Sequence, residues 1–69
     1  MKYRYFKECG RNMIFMNIVE DRDGELYLLK YCALGDKIWI TSENGLYKPY
    51  VLAINVEEIL EEDFFLEFL

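Results

Sequence analysis

Residues 2 to 6, KYRYF, alternate, with Tyr3 and Tyr5 on one face and Lys2, Arg4 and Phe6 on the other, the period of a half-exposed β-strand. ECGRN (8 to 12) breaks the pattern with Gly10 and Asn12, which tolerate the backbone of a turn. MIFMNIV, residues 13 to 19, is almost wholly apolar and too short for a buried helix, so it predicts an interior strand. EDRDGE then supplies a polar hairpin with Asp23-Gly24 as its turn pair, and LYLLKYCAL (26 to 34) is the returning strand, followed by a turn at GDK (35 to 37). IWIT and LYKPYVLAI flank Glu43-Asn44-Gly45, and an Asn-Gly pair between β-rich runs predicts a further hairpin. Pro49 cannot donate to a ladder, so its strand belongs at an edge or a bulge.

After Ile54 the period changes. Asn55 is placed to cap a helix, with Glu58 completing a capping-box-like arrangement. Val56, Ile59 and Leu60 then share one face and Glu57, Glu58, Glu61 and Glu62 the other. FFLEFL, from Phe64, either continues the helix or returns as a last strand, and the strand is the reading favoured. The predicted fold class is α+β, mostly β: a small antiparallel meander of four to five strands with one short acidic C-terminal helix, all in a single domain over residues 1 to 69.

Composition sharpens this picture. A chain of 69 residues that is 54% hydrophobic and 17% aromatic should collapse and order, but around one small core of thin stability. Self-association is a natural way to bury the surplus aromatic surface, so a homo-oligomer is expected. Cys9 and Cys32 lie far apart and the chain has no histidine, which predicts reduced thiols in or near the core and no metal site. No apolar run approaches a membrane span and the opening is not a secretory signal, so a cytoplasmic protein is expected.

Charge is unevenly distributed. Residues 1 to 53 hold all eight bases against seven acids, whereas residues 54 to 69 hold six acids and no base, for a net charge of −5. An acidic tail on a nearly neutral body argues against binding to duplex nucleic acid, and leaves a basic partner protein or an acid-mimicking surface as alternatives. KYRYFK interleaves bases and aromatics as single-strand binders do, but a surface strand with its tyrosines inward is the favoured reading, because the rest of the chain supplies no basic groove.

The chemistry of catalysis is sparse. Without histidine the commonest general base is missing, no phosphate loop occurs, and paired carboxylates would need a deep groove that so small a meander scarcely encloses. The chain is expected to be no enzyme and to carry no cofactor.

Gly45-Leu46-Tyr47-Lys48-Pro49-Tyr50 and Glu58-Ile59-Leu60-Glu61-Glu62-Asp63-Phe64 together resemble the C-terminal signature of the second Thoeris anti-defence family, small bacteriophage proteins. In that family a glycine, an aromatic, a proline-aromatic pair and an acidic run ending in Asp-aromatic follow one another. The resemblance covers the last third of the chain and implies homo-oligomers in an infected host cell that sequester cyclic ADP-ribose-type immune signals without degrading them. A sponge of this kind needs aromatic faces for a base, cations for phosphates, and amide or carboxylate groups for ribose hydroxyls. Trp39, Tyr47 and Tyr50 are the candidates for stacking, Arg11 and Lys48 for charge, and Asn55 and Asp63 for hydroxyl contacts.

Capture of a small nucleotide-type ligand is thus the leading expectation. The alternative is an acidic protein-interaction inhibitor that sets Glu57, Glu58, Glu61 and Glu62 against the basic nucleic-acid-binding surface of a host defence enzyme.

Overall fold

The computed structural model describes residues 2–41 and 48–69, which form a six-stranded antiparallel sheet and one short helix. Strands β1 (Lys2–Cys9), β2 (Ile14–Arg22) and β3 (Glu25–Ala33) are long and carry most of the pairing. β4 (Trp39–Thr41) and β5 (Lys48–Pro49) are short edge segments. β6 (Val56–Ile59) and α1 (Glu61–Leu66) end the chain. The sheet order is β4-β3-β2-β1-β6, with β5 also on β3.

The first three strands follow the predicted meander. Asp23 (φ 53°) and Gly24 (φ 93°) both adopt left-handed backbone, as a two-residue turn between right-twisted strands requires, and the Gly24 amide donates to Asp21 Oδ1 at 2.8 Å. Between Ile18 and Val19 the register with β3 shifts, leaving Leu29 as the extra residue of a bulge. That residue packs into the core.

Three expectations are corrected. IWIT and LYKPYVLAI are not partners in a hairpin. β4 pairs antiparallel with residues 30 to 32 of β3, and β5 pairs antiparallel with residues 27 and 28. Both therefore run in one direction along one edge of a nine-residue strand long enough to receive them in succession. The Glu43-Asn44-Gly45 turn itself lies outside the described residues. Pro49 does sit on an edge strand, and residues 50 to 55 then leave the sheet edge.

The second correction concerns the capping box at Asn55. Val56–Ile59 is strand, paired with Tyr5–Glu8 of β1. The edge of β1 would otherwise present unpaired amides and carbonyls, and this tertiary demand outweighs the helical pattern of the acids. Asn55 caps no helix; its Nδ2 donates to the Cys9 carbonyl at 3.0 Å, and the Cys9 amide donates to the Asn55 carbonyl at 3.0 Å. The third correction follows from the second. Phe64 to Leu66 belong to α1, whose N-cap is Leu60 without a side-chain hydrogen bond, and Glu61, Glu62 and Asp63 in its first turn favourably meet the positive end of the helix dipole.

The helix covers one side of the sheet. Met16, Ile18 and Phe64 form the buried centre, with Tyr5, Ile14, Leu29, Trp39, Ile59 and Phe68 around them. The Phe64 ring lies 5.0 Å from Tyr5, 6.0 Å from Trp39 and 5.8 Å from Phe68. Phe64 on α1 and Phe68 in the turn that follows it thus both meet Trp39 on this side of the sheet. The other side is crossed by residues 50 to 55, which run from the β3 edge to the β1 edge. Phe6, Asn17 and Val19 are buried on that side. Cys32 is buried and Cys9 exposed, both as free thiols, so only Cys32 fits the expectation of a core thiol.

Candidate functional site

The candidate residues are dispersed. Trp39 lies on the helix side, 5.3 Å from Phe68 and beneath Lys30 Nζ at 5.5 Å. Tyr50 lies on the opposite side, its ring 5.3 Å from Phe6. The two aromatics cannot face one pocket within a protomer. Arg11, Lys48, Asn55 and Asp63 are exposed, with Arg11 in the turn after β1, Lys48 on β5 and Asp63 on α1. Tyr47 is outside the described residues. Lys48 and Tyr50 lie on the crossing side at the β3 edge, and Asn55 fixes the far end of the crossing segment at the β1 edge.

Tyr50 belongs to a polar cluster. Asn17 Nδ2 donates to the Tyr50 hydroxyl at 2.7 Å and to Glu8 Oε1 at 3.0 Å, and the Tyr50 hydroxyl donates to Glu8 Oε1 at 3.5 Å. Asn17 is 2% exposed, so its amide must find such partners. The single polar residue inside MIFMNIV was the signal for this cluster in the sequence, but its partners on β1 and after β5 are distant in the chain. Burial pushes the Tyr50 phenol up to about 12, against the pull of the Asn17 donor and with the repulsion of the Glu8 carboxylate. Because this folded-state value lies above the ordinary one of about 10, the resulting stability is complete below about pH 10 and is lost as pH rises through about 12. Urea midpoints measured across that range should fall less steeply in Tyr50→Phe than in the native chain; parallel declines would show that Tyr50 keeps its phenol no better folded than unfolded.

The acidic tail is partly neutralised. Arg4 grips Glu58 with a fork, Nε to Oε2 at 2.9 Å and Nη2 to Oε1 at 2.7 Å, and reaches Asp21 at 3.4 Å. The hydrogen bonds from Arg4 hold the Glu58 carboxyl below its usual range. Lys7 pairs with Glu67 at 3.1 Å. The four acids of the predicted face are therefore divided: Glu57 and Glu58 alternate across β6, and Glu61 and Glu62 start α1. Leu60, Glu61, Glu62 and Phe65 line a hollow of about 470 Å³ that is open to solvent.

Strand register sorts the charges carried on the strands by side, since paired residues point the same way; Arg11, Asp23, Asp36 and Lys37 lie in turns and are not sorted. The crossing side holds Lys2, Arg4 and Lys48 against Glu8, Asp21 and Glu58, an even balance. The helix side holds Lys7, Arg22 and Lys30 against Glu20, Glu25 and Glu57 on the strands and Glu61, Glu62, Asp63 and Glu67 at the helix, an excess of four acids. Among the described residues no group of three histidine, cysteine or acidic side chains is arranged to hold a metal, and no helix is long and apolar enough to cross a membrane.

No family model, curated protein or solved structure matches this chain.

Proposed function

We propose that the chain is a non-enzymatic binding module whose helix side docks a basic protein surface of the kind that otherwise holds nucleic acid, such as that of a host defence enzyme. The observation that carries this reading is the segregation of charge: the excess of four acids on the helix side, beside an even balance on the other. The apolar rim of the hollow, with Leu60 64% and Phe65 46% exposed, adds area that electrostatics alone lacks. Long-range attraction would speed encounter and select basic partners, while the exposed leucine and phenylalanine would slow release.

Titration of a labelled lysine- and arginine-rich peptide tests this directly. Binding should weaken steeply between low and physiological salt, and the Glu57→Gln/Glu61→Gln/Glu62→Gln variant should lose about tenfold or more in affinity. Glu58→Gln should lose less, because Arg4 already engages that carboxylate. Binding that ignores both salt and the triple variant would remove the reading.

A second reading keeps the expectation from the resemblance: sequestration of a small nucleotide-type signal between subunits, in the service of phage counter-defence. It is favoured by Lys48, Tyr50 and Asn55 lying along one segment of the crossing side, where a cation, a phenol and an amide are the group types a nucleotide requires. A melting temperature that rises saturably with a cyclic ADP-ribose isomer or a cyclic dinucleotide, and does so less in Tyr50→Ala, would favour sequestration over docking.

A further inference from the structure

The pairing of β6 with β1 leaves one row of backbone groups without a partner. The Cys9 amide donates to the Asn55 carbonyl, which sets the phase of that ladder. Glu57 and Ile59 turn their backbone groups to β1, opposite Lys7 and Tyr5, while Val56 and Glu58 turn theirs outward. The same phase runs on through the sheet, since the Gly10 amide donates to the Met13 carbonyl across the hairpin from β1 to β2. Of the outward groups, the Val56 amide is satisfied by the Ala53 carbonyl at 3.1 Å, and the carbonyl of Leu60, still extended, by the Phe64 amide at 2.9 Å. The row that remains is the Val56 carbonyl, the Glu58 amide and carbonyl, and the Leu60 amide; among the described residues β6 pairs with no strand but β1. A free carboxylate lies beside this row. Glu57 stands directly across from Lys7, yet Lys7 turns to Glu67 at 3.1 Å, and among the described residues Glu57 makes no ion pair. Glu58, on the other side of the strand, is held by the Arg4 fork.

We infer that this edge accepts an extended basic segment of the docked partner, added antiparallel to β6 as a further strand. The inference rests on the docking reading and specifies the shape of what docks. Its occupant follows from charge and parity. A second copy of β6 would bring its own Glu57 and Glu58 against the same pair of acids, so addition of the chain to itself is opposed. A strand paired with β6 points each side chain the way of the residue opposite. Positions opposite Glu57 and Ile59 therefore face the helix side, the first beside the unpaired carboxylate and the second two residues before Glu61 and Glu62 open α1, and they take lysine or arginine. Positions opposite Val56 and Glu58 face the crossing side, where Arg4 already engages the Glu58 carboxylate, and they take uncharged residues. The partner segment thus alternates, basic on one face and neutral on the other, and its backbone supplies the bonds that the row lacks. A basic helix, whose amides are satisfied within it, would gain from the charge alone.

The test uses the native chain and a capped peptide in which lysine and valine alternate. Antiparallel addition aims the backbone of the valines at β6 and that of the lysines away. N-methylation of the valines should therefore weaken binding about tenfold or more, and N-methylation of the lysines about twofold at most, with the charge unchanged in both. On the protein, saturating peptide should slow hydrogen exchange of the Glu58 amide at least about fivefold and leave that of Glu57, already turned to β1, as it was. Equal losses from the two methylations, a larger loss from the lysines, or a Glu58 amide whose exchange the bound peptide does not alter overturns strand addition. If the peptide still binds in a salt-dependent way in that case, docking of a basic surface stands without it. A peptide that fails to bind even at low salt removes both.

Discussion

Phe64→Ala is expected to leave most of the chain unfolded at physiological temperature. Phe64 is fully buried and touches Tyr5, Trp39, Phe65 and Phe68 through its ring, so it links the helix to β1 and to the β4 edge at once. Truncating such a phenylalanine costs about 3–5 kcal/mol, because the surrounding rings cannot collapse into the space. A domain of this size holds roughly 3–5 kcal/mol in all. The loss is therefore comparable to the whole stability. Far-UV circular dichroism with urea titration reads the result, and Phe64→Leu, which retains most of the volume, should remain folded with a lowered midpoint. Phe65→Ala is the control: its ring is 46% exposed and its removal should cost far less. If Phe64→Ala kept the native urea midpoint, the helix would not be part of the cooperative unit.

This outcome bears on what the sequence made legible. The strands from Lys2 to Ala33 were readable because each is a run of the right length bounded by a turn of recognisable chemistry, Asp23-Gly24 above all. The C-terminal third was misread because its acids follow helical spacing from Val56 while the vacant edge of β1 demands a strand there. Periodicity reports what a segment prefers alone; it does not report an unpaired edge fifty residues earlier. The aromatic run from Phe64 was read as strand for a related reason: only the position of the sheet beneath it reveals that Phe64 and Phe68 must share a face.

Site residues were less legible than the fold. Trp39 and Tyr50 were both stacking candidates because the implied sponge needs aromatic faces for a base, yet alternation and the crossing segment carry them to opposite sides of the sheet. Conversely Glu8 and Asn17, which hold Tyr50, attract no notice as a pair until β1 and β2 are placed side by side. Arg4 and Glu58 likewise become partners only through the pairing of β1 with β6. A tail that reads as a uniform acidic face is thereby reduced to the carboxylates that no strand partner engages.

The second large effect is expected at Arg22. Its Nε donates to Glu20 Oε1, and the Glu20 side chain is 2% exposed while that of Arg22 is 47% exposed. Glu20 is paired across the sheet with Tyr3 on β1 and Tyr27 on β3, so its carboxylate lies between aromatic neighbours and away from water. Arg22 also stacks over the Tyr27 ring at 5.7 Å. Arg22→Met leaves a buried carboxylate without its cation, and breaking a buried pair from one side costs about 3–5 kcal/mol. Replacing both members with apolar groups of similar size removes the uncompensated charge together with its partner, so Glu20→Leu/Arg22→Met should recover a large part of the loss. The four-member cycle, measured as urea midpoints, separates this coupling from whatever else Arg22 contributes through Tyr27. Should the double variant be no more stable than Arg22→Met alone, the cost would lie in the lost guanidinium stacking, and Glu20 would not be the group that needs Arg22.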